Sequence, residues 1–321
     1  MKRFDVCVRG AGIVGQSLAL ALARQGWQVA LVPDAAAAAA DPVPPRSLRE
    51  LPPEGARGTV GRPGVPSDVR AYALNAASVA LLQGLKVWEA LPAQAATPVY
   101  DMHIEGDAPG GLLEFSAWQQ RVPELAWITD AAALDKALAA AVQYAPHITL
   151  TTGEVQAELL ALCEGKTAST REALGVTWDR HDYGHHAVAA RLVSELPHRH
   201  LARQWFRAPD VLALLPFDVP QPGHSQALVW SLPEARAQQL MALDAAAFEA
   251  ALNESTGGAC GALTLASERA SWPLMQARAS AWCGTGWVLL GDAAHVLHPL
   301  AGQGLNLGLA DVATLCEVIA Q

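Results

Sequence analysis

The start of the chain changes its hydrophobic period twice. Mostly apolar residues from Phe4 to Val8 predict a buried strand, and an Ala- and Leu-rich stretch after Gly15 predicts a helix. Gly26 stands where a helix C-cap is expected, and residues 27–32 return to a strand pattern. This order predicts one βαβ unit within a parallel sheet.

Helical spacing of apolar residues recurs in two later segments. Apolar residues at helical intervals from Leu74 to Leu85 predict a helix within residues 70–88. A second helix is expected over residues 130–144, which are rich in Ala and Leu. From Pro33 to Asp68, in contrast, the chain is rich in Ala, Pro and Gly without apolar periodicity, which predicts a mobile surface loop.

Alternating apolar and polar residues, separated by Pro and Gly, indicate strands in the second half of the chain. These strands are expected at residues 186–196, 210–217 and 226–232. An apolar strand at 286–292 then leads into a glycine-rich stretch, where a helix is expected to begin around Gly302 to Gly304. The pattern predicts an α/β fold with a β-rich insert.

Composition excludes several classes of partner. The chain has 22 Lys and Arg against 31 Asp and Glu, a net charge of -9, so it offers no basic excess to neutralise nucleic acid. Its five cysteines form no C-x-x-C pair, which indicates reduced thiols and a cytoplasmic location. The histidine-rich segment 181–186 has no ligand-spaced Cys or carboxylate cluster, so it is interpreted as a polar strand or turn and no metal is expected.

The N-terminus resembles a secretion signal in its basic start and apolar run. Asp5 and Arg9 interrupt the apolar run, and the glycines that follow are spaced for a tight turn between a strand and a helix. Both observations argue against a secretion signal. No window reaches the roughly 18 uninterrupted apolar residues of a transmembrane helix, so no membrane span is expected.

The glycines between the first predicted strand and helix follow the pattern G-x-G-x-x-G. The first glycine permits a tight turn, the second lets a pyrophosphate approach the backbone, and the third lets the helix pack on the sheet. An anion would lie at the helix N-terminus. The alternative is a glycine-rich turn of another α/β fold. The expected cofactor-binding residues here are Gly10, Ala11, Gly12, Ile13, Val14 and Gly15.

Two acids are placed to bind sugar hydroxyls. In a dinucleotide fold, an acid at the end of the second strand bonds the ribose, and Asp34 stands one residue beyond that position. Asp292 follows the late apolar strand, where a carboxylate at a strand's carboxyl end accepts hydrogen bonds from a sugar chain. The N-H groups of the helix beginning around Gly302 to Gly304 are suited to stabilise negative charge on a ring system.

These two motifs resemble those of the class A flavoprotein monooxygenases, in particular the ubiquinone-biosynthesis hydroxylases. "GAGIVGQSLALALARQG" is similar to their first flavin motif and "GDAAHVLHPLAGQGLNLGLADV" to their second. "DVRAYALNAASVALL" resembles their Arg-and-helix segment, and the resemblance extends from Asp5 to Ala320 except for the Ala- and Pro-rich loop. It implies a Rossmann-like FAD-binding domain with an inserted β-rich substrate domain.

The resemblance also implies where FAD binds. The glycines of the first motif would contact the pyrophosphate, Arg70 would lie near the flavin end, and Asp292 would bind the ribityl chain. His298 is a candidate catalytic residue, with a structural histidine at the turn as the alternative. The remaining implied cofactor-binding residues are Gly291, Pro299, Gly302, Gln303, Gly304, Leu305 and Asn306.

The expected domain boundaries follow the same resemblance. The FAD-binding domain is predicted in three parts and the substrate domain in two parts inserted between them. The FAD-binding parts are 1–97, 122–174 and 280–321, and the substrate parts are 98–121 and 175–279.

Three features depart from the family pattern. One is the connection at residues 149–165, which is too short to hold the β-meander that family members carry before the next element. The family's D-G-x-x-S-x-x-R element appears as "EGKTASTR", so Glu164 replaces Asp and Ala168 replaces Ser, while Gly165 and Arg171 remain. Relatives continue with further helices, whereas this chain ends at Gln321, so its last helix is expected to leave apolar residues uncovered. Through Leu307, Leu309, Val312, Leu315 and Val318, that surface would mediate self-association or contact a protein partner or a membrane.

The resemblance implies an FAD-dependent monooxygenase that uses NAD(P)H and O2 to hydroxylate an aromatic ring. The expected substrate is a prenylated phenol of ubiquinone biosynthesis. Two alternatives stay open: another flavoprotein oxidoreductase of the same fold, and a shortened non-catalytic flavoprotein subunit. The expected location is the cytoplasm, with a peripheral membrane contact through the C-terminal helix.

Overall fold

The glycine-rich start of the chain forms the middle of a parallel sheet in the computed structural model, which describes residues 3–33, 68–108, 110–153, 155–297 and 302–321. The strands are β1 (Arg3–Arg9), β2 (Val29–Val32), β3 (Ala71–Leu74), β4 (Ala96–Val99), β5 (Asp101–Glu105), β6 (Leu112–Ser116), β7 (Ala126–Asp130), β8 (Ile148–Leu150), β9 (Gln156–Leu162), β10 (Trp178–Ser194), β11 (Leu201–Arg207), β12 (Asp210–Phe217), β13 (Ser225–Pro233), β14 (Leu263–Leu265), β15 (Ala270–Ala279), β16 (Cys283–Gly284), β17 (Trp287–Leu289) and β18 (His295–Val296).

Helices connect and cover these strands. The α-helices are α1 (Ile13–Arg24), α2 (Ala76–Gly84), α3 (Ala117–Gln120), α4 (Ala131–Tyr144), α5 (Ser169–Ala173), α6 (Glu234–Ala242), α7 (Ala245–Thr256) and α8 (Gln303–Ile319). Short 3-10 helices lie at Trp88–Ala90, Ala93–Ala95, Gly165–Thr167 and Gly291–Ala293. Residues 34–67 of the loop predicted between Pro33 and Asp68 lie outside the described residues.

The parallel sheet has the order β16, β17, β9, β1, β2, β8. All its neighbouring pairs are parallel except β16 with β17. Helix α1 connects the parallel neighbours β1 and β2, and Leu18 and Leu22 of this helix are fully buried in the core. The predicted βαβ unit is therefore confirmed.

The large sheet contains the strands predicted from alternating residues. Its order is β18, β15, β10, β13, β12, β11, β5, β6, with β14 also paired to β10, and every pair is antiparallel except β5 with β11. Trp205 and Trp230 on its strands share a buried core with Phe248 and Leu252 of α7. The α/β fold with a β-rich insert is confirmed.

Three chain segments supply the large sheet, namely residues 101–116, 178–279 and 295–296. The last of these is β18, a two-residue strand inside the part predicted to return to the FAD-binding domain. The predicted domain boundaries stay a prediction.

The prediction of a helix within residues 70–88 is wrong for the residues up to Leu74, where the apolar spacing begins. Ala71–Leu74 form β3, which pairs with β7 in a small antiparallel sheet that also contains β4. Helix α2 begins only after Asn75, whose side chain accepts a hydrogen bond from Ser78 N at 2.8 Å. This N-cap ends the strand and starts the helix, which the apolar spacing alone does not reveal.

The C-terminal helix α8 buries one face and exposes another. The expectation that Leu309 and Val312 belong to an uncovered surface is wrong, because both are buried with Cys316 in the core that contains α1. Leu307 is 36% and Val318 61% exposed. The contact expected of this helix stays a prediction. Among the helices in the described part of the chain, none combines the length and apolar character required to cross a bilayer.

Candidate cofactor site

Close backbone contacts explain the glycines at positions 10 and 15. Gly10 has a φ of 101°, and a Cβ there would lie 2.2 Å from the carbonyl oxygen of Cys163. A Cβ at Gly15 would lie 1.8 Å from the carbonyl oxygen of Gly10. A side chain at Gly10 would therefore push the turn away from the end of β9. A side chain at Gly15 would push α1 away from the turn.

Gly12 differs from these two glycines because it faces open space. It is the N-cap of α1, and a Cβ there would meet no atom within 4 Å. Glycine has no side chain to accept hydrogen bonds from the first-turn N-H groups, so these donors are left for a ligand. Ala11, Ile13 and Val14 form the rest of this turn, and Gln16 Nε2 donates to the carbonyl oxygen of Ala11 at 2.8 Å.

The second motif presents Asp292 on a single helical turn that follows β17. Gly291 precedes it with a φ of 58°. The N-H of Gly291 donates to Asp311 Oδ2 at 2.8 Å, and His295 Nε2 lies 2.8 Å from the same oxygen. The Asp311 carboxylate thus holds the residues on both sides of Asp292.

The carboxylate of Asp292 is a half-buried acceptor. Burial raises the pKa of Asp292, and the charges of Lys166 and His295 act in the opposite direction. No hydrogen bond from a described residue contributes to this pKa. A carboxylate in this state is suited to accept hydrogen bonds from the hydroxyls of a bound sugar chain.

The first turn of α8 has a glycine N-cap as well. Gly302 has a φ of 65° in the left-handed region, and its Cβ position is 3.3 Å from Ala73 Cβ. Gln303, Gly304 and Leu305 follow it in the first turn of the helix. A Cβ at Gly304 would meet no atom within 4 Å, so the backbone there is open to a ligand.

The side chain of Asn306 ties this turn to β3 and α2. Its Oδ1 accepts hydrogen bonds from Asn75 N at 2.9 Å and Ser78 Oγ at 2.7 Å. Its Nδ2 donates to the carbonyl oxygen of Ala73 at 2.7 Å. The Asn306 amide therefore positions the start of α8, and its expected part in cofactor binding would run through the backbone that it holds.

The two helix starts and Asp292 lie at one edge of the parallel sheet. Both motifs follow the carboxyl ends of parallel strands, β1 and β17, which is where such sheets bind ligands. A Cβ at Gly308 of α8 would lie 2.8 Å from Val14 Cγ2 and 3.2 Å from Gly291 Cα. Three segments that are far apart in the sequence therefore meet around Val14.

Arg70 is held at this site by its neighbour Asp68. Nε and Nη2 of Arg70 donate to the Asp68 carboxylate at 2.9 and 2.7 Å, and this pairing raises the pKa of Arg70. The ring centre of Tyr72 lies 6.0 Å from Arg70 Cζ. Burial raises the pKa of Tyr72, which is also affected by the charges of Arg70 and Asp292. Arg70 and Asp292 thus lie near the same tyrosine.

The element "EGKTASTR" packs against the second motif despite its altered residues. Glu164 forms an ion pair with Arg9 at 2.7 Å and accepts a hydrogen bond from Thr170 Oγ1 at 2.8 Å. Arg171 Nη1 donates to the carbonyl oxygen of Ala293 at 3.1 Å, and its guanidinium lies 3.8 Å from the ring centre of Trp178. Arg171 therefore links this element to the turn that carries Asp292.

The structure describes most of the predicted site residues and adds others. Asp34, His298 and Pro299 lie outside the described residues, so their roles stay predictions. The residues that sequence reasoning missed are Gln16, Asp68, Tyr72, Ser78, His295 and Asp311. The spacing of Asp68 and Arg70 in "DVR" signals an ion pair, but no local signal connects the others. Within the described residues, no group of three or more His, Cys, Asp and Glu could hold a metal ion.

Comparison with known families defines the class of this protein. Residues 135–321 match the family described as the FAD binding domain. The chain belongs to this family. The predicted resemblance to the FAD-dependent monooxygenases is confirmed by the relatives and by the shared fold.

Two curated relatives align over nearly the whole chain. The 3-demethoxyubiquinol 3-hydroxylase of Escherichia coli (strain K12) is 29% identical over 337 residues, covering 98% of this chain and 79% of the relative. Ubiquinone hydroxylase UbiL of Rhodospirillum rubrum is 28% identical, covering 98% of this chain and 71% of the relative. Among solved structures, P. aeruginosa PqsL in complex with 2-aminobenzoylacetate shares the fold with a TM-score of 0.76 at 17% identity, covering 99% of this chain and 86% of that chain.

Proposed function

We propose that this protein is an FAD-dependent monooxygenase that hydroxylates the aromatic ring of a prenylated phenol in ubiquinone biosynthesis, with NAD(P)H as reductant and O2 as oxygen donor. The observation that carries the proposal is the meeting of two glycine-capped helix starts with Asp292 at one sheet edge. The names of the two hydroxylase relatives support the choice of substrate class.

The residues at this edge fit the parts of FAD one by one. The open N-terminus of α1 at Gly12 suits the diphosphate, because its N-H groups and helix dipole favour an anion. The Asp292 carboxylate suits the ribityl hydroxyls. The backbone from Gly302 to Leu305 suits the flat ring, because Gly304 leaves it open. Arg70, more than half exposed beside Tyr72, adds a cation for the phosphates or the ring.

The protein's part in the reaction is to bind and orient. When bound, FAD would supply the redox chemistry, because it is the group that NAD(P)H reduces and that reacts with O2. The N-H groups at the start of α8 are suited to stabilise negative charge on the ring, and Asn306 holds them in place through Ser78 and Ala73. The large sheet, inserted between parts of the FAD-binding chain, is the proposed substrate domain.

The direct test is to purify the protein, record its flavin absorbance, and follow NAD(P)H oxidation with and without a prenylated phenol. We expect a yellow protein, faster NAD(P)H oxidation with the phenol, and a hydroxylated product that carries oxygen from isotopically labelled O2. Colour without turnover would favour the non-catalytic flavoprotein. A colourless protein that binds no added FAD would overturn the proposal.

The proposal extends to the contact expected of the C-terminal helix. Leu307 and Val318 are separated by 11 residues, so they lie on the same exposed face of α8. We propose that this face is the apolar part of a contact with a membrane surface or a protein partner, from a cytoplasmic location.

A further inference from the structure

Arg191 is a buried cation on β10 of the large sheet. Its side chain is 8% exposed, and its guanidinium lies 3.9 Å from the ring centre of Phe217, which belongs to the same sheet. Charged side chains are seldom buried this far unless a partner compensates them. The partners of Arg191 therefore indicate why the cation is placed here.

The two polar partners of the guanidinium lie at one end of the small sheet. Arg191 Nη2 donates to the carbonyl oxygen of Arg70 at 2.6 Å and lies 3.1 Å from Asp130 Oδ2. Arg70 immediately precedes β3, and Asp130 ends β7, where it pairs with Ala71. One guanidinium nitrogen thus joins the large sheet to the segment that carries Arg70.

The carbonyl oxygen of Arg70 is a junction of three elements. It accepts hydrogen bonds from Arg191 Nη2 and from the N-H of Ala131, the first residue of α4. Asp130 also caps α4, because its other carboxylate oxygen accepts a hydrogen bond from Ala133 N at 2.8 Å. The main chain of Arg70 is therefore fixed from the large sheet while Asp68 holds its side chain.

Stability alone does not account for this arginine. Nη1 of Arg191 is buried without a hydrogen-bonding partner among the described residues, and burial lowers the pKa of Arg191. An apolar side chain of similar volume commonly replaces a buried ion pair without loss of stability. A buried cation with an unsatisfied donor points to a role in placing its neighbours.

We propose that Arg191 is a positioning residue that fixes the Arg70 main chain to the large sheet, so that the Arg70 guanidinium is held for FAD and the cofactor is held at a set distance from the substrate. The inference rests on the proposed function. It assigns to β10 a part in cofactor binding that lies outside both flavin motifs.

The test is to compare Arg191→Met and Arg191→Lys with the parent protein. Affinity for FAD is measured on the FAD-free protein by quenching of flavin fluorescence, and coupling is measured as product formed per NAD(P)H oxidised. We expect Arg191→Met to weaken FAD binding about tenfold, because it removes a charged donor to the Arg70 carbonyl. Its coupling should fall as well. Arg191→Lys keeps a cation within reach of the same oxygens and should restore most of both losses.

Arg269→Met is the matched control. Arg269 also donates to two carbonyl oxygens, those of Leu240 and Leu243, and lies 4.8 Å from the ring centre of Phe248. All of these partners belong to the core that the large sheet shares with α6 and α7. The control should lower the melting temperature while leaving FAD affinity and coupling at the parent's values. If Arg191→Met matches this control in FAD affinity and coupling, the positioning role is refuted.

Asp130→Asn keeps the test decisive if Arg191→Met fails to fold. Asparagine is as good an N-cap as aspartate, so the variant retains the α4 cap and loses the charge that pairs with Arg191. We expect weaker FAD binding and lower coupling, and unchanged values would overturn the proposal. A parent that binds no FAD would instead reject the proposed function, whereas an active parent with unaffected variants would reject only this inference.

Discussion

Gly308 of α8 faces Val14 of α1 so closely that a Cβ on Gly308 would lie 2.8 Å from Val14 Cγ2. This contact sets how near the two helix starts come to each other. We expect Gly308→Ala to lower the free energy of unfolding by about 1–3 kcal/mol, the usual range for overpacking. Denaturant unfolding of the FAD-free protein measures the loss.

Gly304→Ala is the control for this helix, because a Cβ at Gly304 meets no atom within 4 Å. Its stability should equal or slightly exceed the parent's, since alanine is the better helix former.

The FAD affinity of Gly304→Ala should fall, because the added methyl group occupies the side that the ring approaches. Equal FAD affinity in this variant would count against the placement of the flavin ring.

We expect Gly12→Val to abolish FAD binding while the chain still folds. The backbone at Gly12 has a φ of -75°, which any residue adopts, and its Cβ direction is open. The valine side chain would then fill the space expected for the pyrophosphate. Circular dichroism and FAD titration together check this. Gly10→Ala, which places a Cβ 2.2 Å from the Cys163 carbonyl oxygen, should in contrast damage folding itself.

Asp292→Asn should stabilise the FAD-free protein and weaken its binding of FAD. Because burial raises the pKa of Asp292, its ionised form costs free energy in the FAD-free fold at neutral pH. The variant should therefore have the higher melting temperature at neutral pH. That advantage should vanish as pH falls through the raised pKa towards the ordinary aspartate value. A constant advantage at every pH would contradict this explanation.

With FAD present, the same substitution leaves neutral hydrogen bonds in place of the charge-assisted bonds that the carboxylate would accept from the ribityl hydroxyls. Charge-assisted bonds contribute about 1.5 to 3 kcal/mol and neutral bonds about 0.5 to 1.5 kcal/mol, so a loss of about 1 kcal/mol at each of two bonds should weaken binding at least tenfold. Equilibrium dialysis measures it. Unchanged flavin content in the dialysed variant would rule out Asp292 as a cofactor ligand.

Arg9 and Glu164 should be energetically coupled. The Glu164 side chain is 9% exposed and that of Arg9 is 42% exposed, so solvent screens the pair only in part. In a double-mutant cycle of Arg9→Met and Glu164→Gln, we expect a coupling energy of about 1 kcal/mol. Additive effects of the two substitutions on the free energy of unfolding would show that the pair contributes nothing.

A contact through α8 predicts that two exposed apolar side chains control association. The double variant Leu307→Glu and Val318→Glu should sediment as a monomer and lose binding to lipid vesicles. The parent should self-associate or bind the vesicles. The double variant Ala139→Glu and Ala140→Glu, at exposed positions of α4, controls for the added charge. A parent that is strictly monomeric and does not bind the vesicles would refute the contact.

The sequence by itself determined the elements whose signals are local. Alternating residues predicted β12 and β13 to within a residue or so at each end, and the Ala- and Leu-rich stretch at 130–144 predicted α4. The G-x-G-x-x-G pattern and the strand leading to Asp292 identified both motifs. Such signals act between residues close in the chain, so they survive without knowledge of the fold.

Only the tertiary structure decided which distant groups meet. Helix α2 begins at Ala76, two residues after the start of the apolar pattern at Leu74, and its N-cap Asn75 lies beside Asn306, 231 positions away. Arg191 reaches the Arg70 carbonyl oxygen across 121 positions. Neither contact has a local signal, because each depends on how two sheets pack and on which polar groups that packing removes from water. For that reason the motifs were readable from the sequence, whereas the residues that hold them in place were not.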